Sequence, residues 1–295
     1  MSFTVTQLRA FQAVSRSGSI HAAADQLLVT QPSVSAAVAA LARELGVQLV
    51  ERDGRGIRLT PAGEAFSPYV DQVLGLLEQG RRSALEATRP DAARIRVIAV
   101  NTAGEYLLPA LIQAYRGTRP ATEILLEIGN RREVIRRLEA READIGIGGR
   151  PLGPRVSGRP FIENELVVVG REPIDDLEAA TWLLREEGSG TRAALEAYLD
   201  EQGIRPREQL TLGSNGAVKQ ALFLGLGVTL ISLYAVSREL RDGSLVRIPA
   251  PGTPLQRAFH VLRLRQPSPR SAVNELIGFL HAPAARTAIT AALAG

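Results

Sequence analysis

At 295 residues the chain has room for two or three domains and a sizeable core, and the absence of cysteine excludes disulfide frameworks, thiol nucleophiles and cysteine-built zinc sites. Three scattered histidines (His21, His260, His281) make a metal cluster unexpected; the formal net charge of +4 is thinly spread, with six arginines against four acidic residues in positions 1–60, so a basic footprint is at most local. No apolar run suits a bilayer and MSFTVTQLRA lacks a signal-peptide pattern, so a cytoplasmic protein without a membrane partner is expected.

In Thr4–Arg16, Val5, Leu8, Phe11 and Val14 recur at helical spacing. Ser19–Leu28 (SIHAAADQLL) reads as a shorter helix with a serine cap. Only Val29 and Thr30 separate it from TQPSVSAAVAALARELG, Thr30–Gly46. There Thr30 can cap a helix that opens with Gln31 and Pro32, since proline lacks a donor that would be unpaired in a first turn anyway. Val34, Val38, Leu41 and Leu45 form one apolar stripe, while Gln31, Ser33, Ser35, Ala36 and Ala37 lie off it and are short. Two helices with a tight turn, the second exposing a short polar edge, is the helix-turn-helix arrangement for reading a major groove. Leu49–Arg52 and Ile57–Leu59 read as strands of a hairpin around Asp53–Gly56. Its Arg52, Arg55 and Arg58 make a wing placed for phosphates or the minor groove. The DNA-binding candidates are thus Gln31, Pro32, Ser33, Ser35, Arg52, Arg55 and Arg58.

The run Leu8–Phe11, Ser19–Ala24, Thr30–Ser35, Leu41, Leu45–Gly46 and Leu49–Arg52, closing with LTPAG at Leu59–Gly63, resembles the amino terminus of the LysR-type transcriptional regulators. Members often carry arginine or glutamine where this chain has Ala36 and Ala37, which shifts base reading onto Gln31, Ser33, Ser35 and the wing.

From Pro61 to about Thr88 a long helix is expected, with Ala62, Phe66, Tyr69, Val73, Leu76, Gly80 and Ala84 forming a coiled-coil-like seam. Pro68 predicts a kink, and Gly75 and Gly80 weaken the seam. Thr88–Ala92 reads as a hinge. Beyond Arg94 strands and helices alternate: Ile95–Val100, helix Gly104–Tyr115, Glu123–Ile128, helix Arg131–Ala140 and Ile145–Ile147, then Glu165–Val169, Trp182–Arg185, helix Thr191–Glu201, Leu210–Leu212, helix Asn215–Leu224 and Val228–Ser232. The chain is expected to cross back near Leu255–Arg265, with a helix at Ser271–Leu280 and a peripheral helix or frayed tail over Pro283–Gly295. The fold class is α/β: a winged helix-turn-helix (1–60), a linker and dimerisation helix (61–89), and a two-lobed effector domain resembling periplasmic binding proteins, lobe I being 90–164 with 266–295 and lobe II 165–265.

Ligands of open α/β sheets bind beyond the carboxyl ends of strands, where free N–H groups of helix starts favour anions. Five segments are expected there: Asn101–Ala103, Gly129–Asn130, Gly148–Arg150, Gly188–Thr191 and Gly213–Asn215. In the resembled family the inducer contacts fall, in this sequence, on Thr102, Asn130, Ser189–Thr191 and Ser214–Asn215; Gly149, Arg150 and Gly190 complete the effector candidates. Arg150 and Arg192 are possible partners for a carboxylate or phosphate, Phe161 and Asn164 for the floor, and Trp182 for the core. LREEGSGTR (184–192) with LGSNGAVKQ (212–220) is most similar to the branch regulating carbon fixation, whose effectors are phosphorylated metabolites or nicotinamide nucleotides.

The resemblance implies a regulator whose grip on operator DNA is modulated by a small anionic metabolite, acting as a homodimer or homotetramer and with RNA polymerase as a partner. The competing readings are an enzyme or solute-binding protein on the two-lobed scaffold with an ancillary DNA head, and a DNA-organising protein. No cysteine, no histidine on a cleft loop and no acid pair of readable spacing support catalysis; no catalytic residue, metal ligand or cofactor is expected. Asp144 and Glu186–Glu187 are the nearest acids, and Asp144 reads as a strand-end residue.

Overall fold

Helix α1 (Val5–Ser17) starts at a reciprocal cap, in which Gln7 N donates to Thr4 Oγ1 at 3.2 Å and Thr4 N to Gln7 Oε1 at 2.5 Å. The structure is a computed structural model that describes residues 3–54, 56–88, 93–151, 153–266 and 270–294. Leu8, Phe11 and Val14 of α1 are buried with Ala23 and Ala24 of α2 (Ile20–Leu27) and Val34, Val38 and Leu41 of α3 (Gln31–Leu45), so the predicted stripe is the inner face. Strands β1 (Val50–Asp53) and β2 (Gly56–Leu59) pair antiparallel with Glu51 opposite Arg58. Arg55 lies outside the described residues.

Helix α4 (Pro61–Thr88) follows at once, and Gly63 in its first turn has a structural reason to be glycine. A Cβ there would stand 2.0 Å from the Leu49 carbonyl oxygen, which already accepts from Thr60 N. Pro68 lies inside α4 and does not end it. The seam residues Tyr69, Val73 and Leu76 are exposed, together with Leu77 and Leu85. Of the expected hinge, residues 89–92 lie outside those described.

The chain divides into two units, Met1–Ala87 with Glu139–Arg141, and Thr88–Leu138 with Glu142–Gly295. In the second, β3 (Arg94–Val100) runs into α5 (Asn101–Tyr106) and α6 (Leu108–Thr118). The single helix expected over Gly104–Tyr115 is therefore two, and it begins earlier. Pro109, in the first turn of α6, has no N–H to give Glu105 and enforces the break. Next come β4 (Glu123–Gly129), α7 (Arg131–Glu139), β5 (Ile145–Gly148) and β6 (Val156–Ile162), the last a strand not anticipated. It is an edge strand, where Pro160 is tolerated.

Lobe II holds β7 (Glu165–Gly170), β8 (Thr181–Arg185), α8 (Gly190–Glu201), β9 (Glu208–Leu212), α9 (Asn215–Phe223), β10 (Thr229–Ser232), α10 (Leu233–Asp242), β11 (Val246–Arg247) and β12 (Leu255–Gln256). β10, β11 and β12 all pair antiparallel with β7, whereas β8 and β9 are parallel. The chain returns through β13 (Phe259–Leu264), α11 (Ser271–Leu280) and α12 (Pro283–Ala294).

β13 corrects one expected boundary. Its neighbours are β5 and β6, in a five-stranded sheet of order β4-β3-β5-β13-β6, so Phe259–Leu264 belongs to lobe I and not to the 165–265 segment. The crossing itself lies just before it, where Arg257 N donates to Asn164 O at 2.7 Å and ties the two passages together. The tail is a helix seated in lobe I, with Ala285 and Ile289 buried in its core. Trp182 is fully buried in lobe II and donates its indole N–H to Leu177 O. Asp144, just before β5 and with its side chain shielded from solvent, forms an ion pair with Arg270 at 2.8 Å and accepts from Arg96 N at 2.9 Å. It braces the lobe I sheet.

Candidate functional site

Two sites can be built from the sequence upward. On the helix-turn-helix unit, Gln31, Pro32, Ser33 and Ser35 are all exposed at the start of α3. Thr30 stands at the cap position, but its hydroxyl bonds Ser33 Oγ at 2.8 Å and caps no backbone N–H. That engages Ser33, while Gln31 Nε2 meets His21 Nδ1 at 3.1 Å. Ser35 makes no such contact. In the wing, Arg58 is held by the cross-strand Glu51 carboxylate at 2.8 Å, whereas Arg52 has no acidic partner among the described residues. A groove of about 600 Å³ runs between α3 and the wing, lined among others by Ser35, Ala39, Arg43, Gln48 and Arg52. Arg43 was not among the expected residues. It is exposed, two turns along α3 from Ser35 and eight residues away. Its spacing of four from Ala39 and from Ser35 to Ala39 was the signal that could have found it.

The second site is a cavity of about 470 Å³ between the lobes of the effector domain. Lobe I contributes Asn101 and Thr102 from the first turn of α5, Asn130 and Arg131 where α7 opens, and Gly149 and Arg150 beyond β5. Lobe II contributes Arg185 and Ser189–Thr191, and the crossing segments contribute Asn164 and Gln256–His260. Four of the five expected segments thus converge. The fifth does not: Ser214 caps α9, and Asn215 is fully buried behind the wall. Arg192 pairs with Glu196 at 2.7 Å instead of facing the cavity, Phe161 is in the lobe I core, and Lys219 is paired with Glu239.

The cavity's electrostatics are one-sided. Arg131, Arg150, Arg185 and Arg257 line it, with His260, and its described lining contains no aspartate or glutamate. Burial pulls the Arg131 guanidinium below its usual range, and repulsion from Arg257 adds to this. Arg131 also donates from Nη2 to Arg150 O at 2.8 Å, and like charges lining one cavity favour an anion there. Arg185, itself buried, is bracketed by Glu186, which accepts from Nε at 2.8 Å and Nη2 at 3.1 Å. Helix starts add N–H groups: Ser189 caps α8, and Asn130 Oδ1 accepts from Glu133 N at 3.0 Å. Within α7, Arg136 and then Arg137 hold the Glu133 carboxyl down to about 2. The described lining has the charge to suit an anion and contains no nucleophile set between an acid and a base.

Comparison with known proteins agrees with this arrangement. The family "Bacterial regulatory helix-turn-helix protein, lysR family" matches residues 5–64, and "LysR substrate binding domain" matches residues 88–285. The chain belongs to the LysR family. Among LysR relatives, the "HTH-type transcriptional activator CmpR" of Synechocystis is 32% identical over 270 residues, 88% of each chain. "HTH-type transcriptional regulator CbbR" of Rhodospirillum rubrum is 32% identical over 292 residues, 95% of this chain and 96% of that one. In structure, the regulatory domain of Synechocystis PCC6803 CcmR, solved in complex with 2-PG, aligns at a TM-score of 0.60 and 27% identity, covering 64% of this chain and 95% of that domain. These LysR proteins are named as regulators and not as enzymes. No helix among the described residues is long and apolar enough to cross a membrane.

Arg131, Arg185 and Arg257 were missed in this LysR chain for different reasons. Arg131 follows an expected residue directly, and Arg185 ends a strand, so the strand-end rule reached both neighbourhoods. Arg257 and His260 enter the cavity only because the returning crossing passes its floor, which no local pattern encodes.

Proposed function

We infer that this LysR regulator binds operator DNA through α3 and the wing, and that a small phosphorylated carboxylate, held between its lobes, modulates that binding. The observation that carries the effector class is the described lining, which has four arginines and no aspartate or glutamate. The 2-PG in the CcmR regulatory domain has the same chemistry. The ligand works by binding two lobe arrangements with different affinity, for a ligand indifferent to them shifts nothing. Effector contacts are assigned to Thr102, Asn130, Gly149, Arg150 and Ser189–Thr191, joined by Arg131, Arg185 and Arg257. The exposed stripe of α4 fits a second copy of the chain, giving a homodimer or homotetramer. The protein works in the cytoplasm with RNA polymerase as its partner.

The test is the thermal midpoint of the full-length protein with 2-phosphoglycolate and with its uncharged counterpart glycolamide. We expect a dose-dependent rise of several degrees with the former alone. An equal response to both, or none, would falsify the anion assignment.

On the DNA side, Arg43→Ala and Arg52→Ala are each expected to weaken binding to all duplex sequences alike. Each should also lower the slope of log affinity against log salt by about one. An unchanged slope removes that arginine from the phosphate contacts.

A further inference from the structure

Every polar atom of the Asn215 side chain is spent, and the way it is spent decides what two other residues offer to the cleft. Asn215 opens α9 in lobe II and is completely buried (0%). Its carbonyl oxygen accepts from Arg185 Nη1. Its amide nitrogen donates to Glu105 Oε2 at 3.2 Å and to Thr102 Oγ1 at 3.4 Å. Chemistry fixes this orientation: a guanidinium only donates and a carboxylate only accepts, so the oxygen faces Arg185 and the nitrogen faces Glu105. Thr102 and Glu105 stand on α5 in lobe I, and Arg185 ends β8 in lobe II. The amide therefore bridges the lobes.

Thr102 and Arg185 line the cavity, while Asn215 does not. Because Asn215 donates to the Thr102 oxygen, the hydroxyl hydrogen points elsewhere, and no described residue accepts it. A guanidinium has five N–H groups. In Arg185, Nε and one hydrogen of Nη2 go to Glu186, and one of Nη1 goes to Asn215. Two remain without an acceptor among the described residues. One turn further along α9, Lys219 sits 5.5 Å from the centroid of the Tyr106 ring and pairs with Glu239, giving α9 a second hold on α5.

We propose that Asn215 is a positioning residue that sets the polarity of the cleft: it presents Thr102 O–H and Arg185 N–H, one from each lobe, as matched donors to a single oxyanion. Ligand affinity then depends on the registry of the lobes, because the two donors meet only while the bridge is made. The inference rests on the anionic-effector reading above and assigns Asn215 a role behind the wall in place of ligand contact.

The experiment uses the full-length protein and 2-phosphoglycolate titrated by calorimetry. Asn215→Asp keeps the shape but cannot donate. The Thr102 hydroxyl would turn to the new carboxylate, Glu105 would face a like charge, and Arg185 would be drawn back. We expect affinity to fall at least 30-fold. Thr102→Val, costly alone, should cost little more in the Asn215→Asp background, whereas Arg150→Gln should cost the same factor in both. Binding within threefold of wild type, or full multiplication of the Thr102 and Asn215 losses, overturns the proposal.

If Asn215→Asp does not fold, Asn215→Ser, which loses the reach to both lobe I acceptors, carries the same comparison. Should wild type bind neither 2-phosphoglycolate nor inorganic phosphate, the anionic-effector reading falls by itself. Amide hydrogen exchange without ligand then decides the bridge: Asn215→Ser should speed exchange in α5 at least tenfold and leave the lobe II strand β7 unchanged. Unaltered exchange in α5 overturns it.

Discussion

Gly63→Ala is expected to unfold the DNA-binding unit at ordinary growth temperatures. The added methyl would lie 2.0 Å from the Leu49 carbonyl oxygen, and 3.0 Å from its carbon. Backbone cannot move aside as the end of a flexible side chain can. Either α4 must lift from the wing or the Thr60-to-Leu49 hydrogen bond must break. Overpacking costs about 1–3 kcal/mol, and a clash with backbone belongs at the upper end of that range, about 3 kcal/mol. For a unit of this size that corresponds to a midpoint lower by roughly 10 °C or more. Circular dichroism melting with and without operator DNA measures it; a variant that melts within about 2 °C of wild type and still binds DNA would contradict the close approach.

Asp144→Ala is the corresponding blow to the effector domain. It would take away the carboxylate that pairs with Arg270, whose side chain is 0% exposed and which also donates to Arg94 O, and would free Arg96 N of its acceptor. Removing one partner of a buried ion pair costs about 3–5 kcal/mol, because the surviving charge has no solvent to turn to. Urea titration followed by the fluorescence of Trp182 reads the loss as an earlier transition. The double replacement Asp144→Leu with Arg270→Met should recover much of it, since an apolar pair avoids the desolvation cost. If the double variant is as unstable as the single one, the pair's energetic role is refuted.

Local pattern carried much of this architecture, and its failures have physical causes. The stripe Val34, Val38, Leu41 and Leu45 was readable because one helix face must be buried whatever the tertiary context. The strand ends were readable because parallel sheets place their loops on one edge. Pro109 was present in the sequence but was overridden by apolar periodicity, so one helix was expected where the chain makes two. β6 escaped notice because an edge strand needs neither continuous apolarity nor strict alternation. The boundary at β13 depends on which sheet adopts the returning strand, and that is decided by hydrogen-bond partners far away in sequence. Asn215 was placed near the ligand by its position at a strand end, whereas its depth depends on α5 closing over it.

The arginine lining has a consequence for what such a protein measures. A pocket whose described lining has four guanidinium groups and no aspartate or glutamate, with Glu186 behind it pairing only Arg185, attracts any small anion in a cell, phosphate and chloride included. An effector must displace that background, and discrimination is then a difference between two affinities and not one affinity alone. On the anionic-effector reading proposed above, the response follows the ratio of the signal to the surrounding pool of small anions, and the protein acts as a comparator of metabolic composition.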